Sequence, residues 1–312
     1  MSLSQPKKFQ FLPGLDRIIS SDREDKTLVV KLFTEIFREY ACIKDESTIK
    51  VDDCSDLGGS FTYKVHSPKN PDVLPLCLHS RVVEPDLDPF IEPRMRKCHE
   101  ILYNRGIMPP RICSGETWWV EPFIFVDKTK TSLADFAVLM AEIHKCPTDW
   151  FPEFREKYLA RWPVLEKVGP GSHIWTYVAN AQHWFQDEVY SPEDMDFWID
   201  AENEPLSAPA RRVVTVHSDF HDGNTLLQDG KLYIIDLEYI NVSWAVHDFC
   251  FLYYWLFRSF PDTPNVLRDF FKTYLDHSGF GSSEQDISDV IFDTECARLR
   301  HFHLAPLWQD LE

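Results

Sequence analysis

The sequence predicts an α+β protein in two lobes: a small antiparallel sheet led by one helix, then a larger, mainly helical half. Three observations carry this reading. A helical repeat at residues 27–40 gives way to short β-rich runs that continue to residue 123. Residues from 132 onward return to helical periodicity, and one polar loop between apolar strands, at 213–238, interrupts them. Glu121-Pro122-Phe123 is a natural connector, because Pro122 cannot donate to a sheet ladder. Residues 1–121 therefore read as the first lobe and 122–312 as the second.

In TLVVKLFTEIFREY, Leu28, Val29, Leu32, Phe33, Ile36 and Phe37 fall on one face of a helix, which leaves Lys31 a solvated helix residue. Two β-rich runs flank Leu57-Gly58-Gly59-Ser60, and VLPLCLHSRVV reads as a third strand after the turn between Pro68 and Pro71. Residues 93–105 predict a helix ending at Gly106, and RICSGETWWVEPFI predicts a hairpin turning at Ser114-Gly115. Three helical stretches follow, SLADFAVLMAEIHK, FREKYLARWPVLEKV and TYVANAQHWFQDEVY. The acidic run at 191–205 reads as a surface excursion before the strand RVVTV, and the chain is helical again from Asn265.

The 32 basic and 50 acidic side chains leave a net charge of −18, which makes nucleic acid a poor partner and favours a cationic one. Eight cysteines stand singly without a CxxC pair, as expected of reduced thiols rather than zinc ligands or disulfides. No apolar run is long enough for a membrane span, and MSLSQPKKF lacks the apolar core of a signal peptide, so a soluble, cytoplasmic protein is expected. Nothing in the sequence indicates an oligomeric state.

Chemistry concentrates in VVTVHSDFHDGNTLLQDGKLYIIDLE. An apolar strand runs into His217, Asp219, His221 and Asn224, and two short strands follow, joined by Asp229-Gly230, a strong two-residue hairpin signal. Counting outward from that turn, Gln228 faces Lys231, Leu226 faces Tyr233 and Asn224 faces Ile235. Asn224 and Asp236 thus become neighbours at the open end, although strict pleating would point them to opposite faces. A carboxylate, an amide oxygen and a second carboxylate at one loop mouth suit a hard cation such as Mg²⁺, which takes few protein ligands and brings phosphate oxygens with it. A metallohydrolase built on His217-x-Asp219-x-His221 is the rival reading, and it needs a further ligand cluster that the chain does not offer.

HSDFHDGN followed by IIDLEY resembles the aminoglycoside phosphotransferase and choline/ethanolamine kinase superfamily, whose fold is protein-kinase-like. The resemblance runs in order through roughly residues 50–260. It implies ATP and Mg²⁺ as cofactors, Asp219 as the catalytic base, Asn224 and Asp236 as metal ligands, and His217 as a brace of the loop. Val246-His247-Asp248-Phe249 resembles the aspartate that follows the metal strand. His221 and Gly223 are similar to the aminoglycoside-kinase form of the loop, while Ile235-Asp236-Leu237-Glu238-Tyr239 is similar to the choline form.

In the first lobe the resemblance implies that Gly58, Gly59 and Ser60 cover phosphates. It also implies that a basic residue, Arg81 or His79, reaches toward them, with Arg81 preferred for its permanent bidentate charge. The backbone at Glu121 and Phe123 would hold adenine. The helix after the third strand should supply a glutamate partner for the basic residue, but Met95 occupies that point, between Glu92 and Glu100. For a cationic alcohol, Glu238 and Asp248 supply charge and Trp244, Trp255 and Trp308 supply ring faces. Choline or ethanolamine is the expected substrate class. An aminoglycoside or other hydroxylated metabolite, and a catalytically dead nucleotide-binding pseudokinase, are the alternatives.

Overall fold

The computed structural model describes residues 26–54, 60–81, 90–114, 118–124, 131–161, 166, 206–228, 230–250 and 265–304. The chain divides into two compact units, residues 1–85 with 109–125, and residues 86–108 with 126–312. Among the described residues, no helix is long and apolar enough to cross a membrane.

The first unit is a five-stranded antiparallel sheet and one helix. Helix α1 (Lys26–Ala41) precedes β1 (Lys50–Asp53), β2 (Ser60–His66), β3 (Leu76–Arg81), β4 (Cys113–Ser114) and β5 (Trp118–Pro122), in the spatial order β1-β2-β3-β5-β4. Of the apolar stripe foreseen on α1, Phe33, Ile36 and Phe37 pack on Tyr63, Val65, Leu76, Leu78, Trp118 and Val120, while the side chains of Leu28, Val29 and Leu32 lie outside those described. Because strand side chains alternate, the other face of the sheet carries polar rows. Register aligns Thr62, His79 and Trp119 in one row and Lys64, Cys77 and Glu121 in the next.

In the second unit, α2 (Ile91–Asn104) stops one residue before Gly106, which takes the left-handed φ of +71°. Ser132 and Asp135 close a capping box on α3 (Leu133–His144), and α4 (Pro152–Arg161) ends just before Trp162-Pro163. Helix α3 packs on α5 (Val266–Ser278), with His144 against Tyr274, and Phe136, Met140, Phe270 and Phe271 on the two helices are nearly inaccessible. Helix α6 (Glu284–Leu304) buries Ile287 and Val290.

Two small antiparallel ribbons bear the polar loop. One pairs β6 (Val213–Val216) with β9 (Asn241–Trp244), and the other is the hairpin β7 (Thr225–Gln228) and β8 (Lys231–Ile234). The hairpin has the register read from its turn, with Gln228 opposite Lys231 and Leu226 opposite Tyr233. Gly230 takes φ +76°, as that turn requires. The stretches at 176–190 and 191–205, and Asp229 itself, lie outside the described residues.

Candidate active site

Strand β6 ends in His217, whose ring is fully buried and donates from Nε2 to the carbonyl of Ile235 at 2.9 Å. That bond ties the loop to the residue that follows β8. The next residue, Ser218, has φ +65°, a left-handed conformation that costs a non-glycine residue roughly 1–2 kcal/mol. Asp248 holds it there: its Oδ1 accepts from the Ser218 N–H at 2.7 Å and its Oδ2 from the His217 N–H at 2.9 Å. His144 Nε2 adds a third bond to Asp248 at 3.0 Å, and its Nδ1 meets Tyr274 Oη at 2.7 Å. Burial pushes the Asp248 carboxyl pKa upward, but the His144 bond, the nearby imidazoles and the backbone donor outweigh it, and the net direction is down.

The turn at Ser218 sends Asp219 outward, where its side chain is 26% exposed and can meet a ligand. Asn224 sits in a 3-10 turn, Asp222–Asn224, rather than in the ladder. Its Nδ2 donates to the Asp219 carbonyl at 3.0 Å and to Asp219 Oδ2 at 2.9 Å. A carboxylate only accepts, so the amide nitrogen must face Asp219, and the Asn224 oxygen is turned elsewhere.

The pleating problem resolves at both partners. Ile235 N–H donates to the Asn224 carbonyl at 2.9 Å as the last rung, and then Asp236 takes φ +59°, so neither residue keeps strand geometry. Asp236 is exposed. Asp219 and Asp236 both lie within electrostatic reach of the His221 and Tyr239 rings. Burial is the largest influence on each ring. It opposes charge on His221, where hydrogen bonding and carboxylate fields still raise the pKa, and it raises Tyr239 further. An amide oxygen and an exposed carboxylate form an all-oxygen donor pair that fits Mg²⁺. Among the described residues, no cluster of three His, Cys, Asp or Glu side chains could cage a metal, which leaves the metallohydrolase reading unsupported.

The chain matches the phosphotransferase enzyme family across residues 111–284, more than half its length and including the whole loop and hairpin. It belongs to that family. Among solved structures it is similar to an ethanolamine kinase of Plasmodium vivax, with a TM-score of 0.63 at 13% identity over 91% of this chain and 83% of the other. A choline kinase of Cryptosporidium parvum gives 0.60 at 16% identity over 86% of each chain. At such identity the likeness is one of fold, and the fold is the kinase-like α+β architecture that the sequence predicts. Among curated proteins, none matches the chain in sequence.

Three predicted site residues of this phosphotransferase serve otherwise than expected. Asp248 does not face a substrate, because it is fully buried and both its oxygens are committed to the loop. Trp244 pairs with Val213 at the far end of β6 from the catalytic loop, and the guanidinium of Arg211 lies over its ring at 5.8 Å. Three strand residues place it roughly 10 Å from the loop. Phe123 donates its N–H to the Pro75 carbonyl at 2.8 Å, prolonging the ladder, so that group is not available to adenine.

Glu121 acts through its side chain. Its Oε1 lies 3.2 Å from His79 Nε2, which also touches Cys77 Sγ at 3.3 Å, while His79 Nδ1 meets Thr62 Oγ1 at 3.3 Å and the ring stacks on Trp119. Burial opposes charge on His79, yet these partners, Cys77 and Glu121 foremost, push its pKa up to about 10. His79 is therefore a standing cation whose carboxylate comes from the neighbouring strand. Met95 is buried in the apolar core and Glu100 is exposed. Gly58, Gly59, Trp255 and Trp308 lie outside the described residues, as do the side chains of Ser60, Arg81 and Glu92.

Glu238 is half-buried beside Tyr239, and its backbone carbonyl accepts from Arg94 on α2. His144 and Arg94 were not foreseen at the site. His144 is 104 residues from Asp248 and nothing local marks it. His221 was visible in the loop pattern, but its bearing on Asp219 was not.

Proposed function

We propose that this phosphotransferase moves the γ-phosphate of ATP onto the hydroxyl of a small cationic amino alcohol of the choline or ethanolamine class. The observation that carries the reading is the constellation at the loop mouth: Asp219 turned outward and oriented by Asn224, with Asp236 beside them in a left-handed turn. Asp219 accepts the proton of the attacking hydroxyl, the one proton transfer that phosphoryl transfer asks of the protein. Asn224 Oδ1 and Asp236 would hold Mg²⁺, which neutralises phosphate charge when bound. Nucleotide binding is assigned to residues 1–121, where His79 supplies a half-buried cation on the polar sheet face. Glu238, half-buried beside the carboxylate cluster, receives the ammonium group, and the net charge of −18 favours its approach.

A larger hydroxylated acceptor of the aminoglycoside kind is the second reading, favoured by His221 and Gly223 in the loop. The test is ADP release from Mg·ATP across choline, ethanolamine, aminoglycosides and sugars. Turnover with an amino alcohol is expected, and Asp219→Asn should lower kcat about 10²- to 10⁴-fold while nucleotide affinity stays near wild type. Nucleotide binding without turnover of any acceptor would make the chain a pseudokinase and end the proposal.

A further inference from the structure

His221 lies outside the roles assigned so far, although its ring is packed tightly into the loop. A Cβ added at Gly223 would come within 2.5 Å of His221 Cε1, so only glycine leaves room for the ring where it sits. The Gly223 N–H donates to His221 Nδ1 at 3.0 Å, which makes Nδ1 the lone-pair nitrogen. The hydrogen of the neutral ring is then on Nε2, and Nε2 faces Asp219 Oδ2 at 3.5 Å. Protonation of the ring would leave that Nε2–H in place, so the direction of the contact does not depend on charge. Asn224 Nδ2 reaches the same Oδ2 at 2.9 Å. Two donors therefore converge on one oxygen of the base, while Oδ1 has no partner among the described residues.

We propose that His221 is a positioning residue for Asp219. Its Nε2–H and the Asn224 amide together fix the carboxylate through Oδ2 and leave Oδ1 as the oxygen that takes the acceptor's proton. The inference rests on the phosphotransfer reading above and adds the division of labour between the two carboxylate oxygens. A 3.5 Å contact is long for a hydrogen bond, and such contacts in ligand-free enzymes shorten in the reacting complex. Misplacement of a reacting group by about 1 Å can cost about a hundredfold in rate, so a carboxylate free to rotate should matter in kcat rather than in KM.

The two ring nitrogens give the test its sign. In His221→Gln the amide nitrogen can replace Nε2–H toward Asp219, whereas His221→Asn can replace only the acceptor toward Gly223. With Mg·ATP and whichever acceptor the wild type turns over best, His221→Asn should lose about tenfold to a hundredfold in kcat with little change in either KM. His221→Gln should recover most of that loss. Gly223→Ala should mimic His221→Asn by displacing the ring, and should cost nothing further once His221 is already alanine. The ¹⁵N shifts of His221, read above its titration, should report a neutral ring protonated on Nε2. A ring protonated on Nδ1, rescue by Asn instead of Gln, or unchanged kcat in His221→Asn would each overturn the inference while leaving phosphotransfer intact. A wild type that turns over no acceptor refutes the phosphotransfer reading itself, and this inference with it.

Discussion

Replacing Asp248 tests whether the loop that carries Asp219 is held by a buried carboxylate or by its own backbone. Asp248 is fully buried and accepts from the His217 and Ser218 N–H groups and from His144 Nε2. Alanine would leave three buried donors unpaired, at about 1–3 kcal/mol each, and losses within one network do not simply add, so about 4 kcal/mol is expected. At about 2–4 °C per kcal/mol, that lowers the melting temperature by about 10 °C. Asparagine keeps the shape but turns an amide nitrogen toward one donor, and should cost about 2–3 kcal/mol. Both variants release Ser218 from φ +65° and let Asp219 drift, so kcat should fall about a hundredfold even at a temperature where Asp248→Asn is fully folded. Thermal melts paired with ADP-release assays separate the two effects. The pH dependence supplies a further check. The native pKa of Asp248 lies below its unfolded value of about 3.9, so the stabilisation is complete at neutral pH and is lost as pH falls through the native value. The stability curve of Asp248→Asn should therefore run parallel to wild type above about pH 5 and flatter below about pH 4. An Asp248→Asn variant with wild-type melting and kcat would refute the brace.

Two further perturbations probe features away from the loop. Gly106→Ala places a side chain at φ +71° at the end of α2 and should cost about 1–2 kcal/mol by thermal melting. The cost would be in the backbone, because the Lys231 Nζ that the new Cβ would approach at 3.0 Å can move aside. His79, raised to about 10 in the folded protein, contributes stability that is complete below its unfolded value of about 6.5 and is lost as pH rises toward 10. Denaturant titrations from pH 6.5 to 10 should show stability falling by at most about 1.4 kcal/mol per pH unit from this group, and Glu121→Gln should flatten that slope. An equal slope in the variant would show that Glu121 is not the partner that matters.

Local features of the chain were legible in advance, and long-range ones were not. The Asp229-Gly230 turn fixes its own register, so the pairing of Leu226 with Tyr233 follows by counting. The burial of Phe33 and Phe37 likewise follows from spacing alone. The loop chemistry could be read because Asp219 and Asn224 sit five residues apart and bond directly. The left-handed residues at Ser218 and Asp236 left no trace, since neither is glycine and each is held by partners distant in sequence or fixed by the ladder's end. Asp248 was misread for a related reason. An acidic residue beside aromatic ones looks like a surface recognition group, and only the arrival of His144 from α3 and the loop N–H groups turns it into a buried brace.

Met95, standing where a helix glutamate is expected, motivates the alternative of a nucleotide-binding pseudokinase whose first unit has no paired cation. The sheet itself answers this differently. His79 and Glu121 lie in adjacent polar rows on β3 and β5, so their pairing needs no partner from a helix. That arrangement is poor as a device for stability. Glu121 keeps a second buried oxygen, Oε2, without a partner among the described residues, and apolar residues in the same rows would avoid the cost of burying its charge. Cys77 fills the space beside the pair, and its sulfur lies 3.3 Å from the same ring nitrogen. The sheet therefore carries its own paired cation, at a cost in stability that packing alone does not offset.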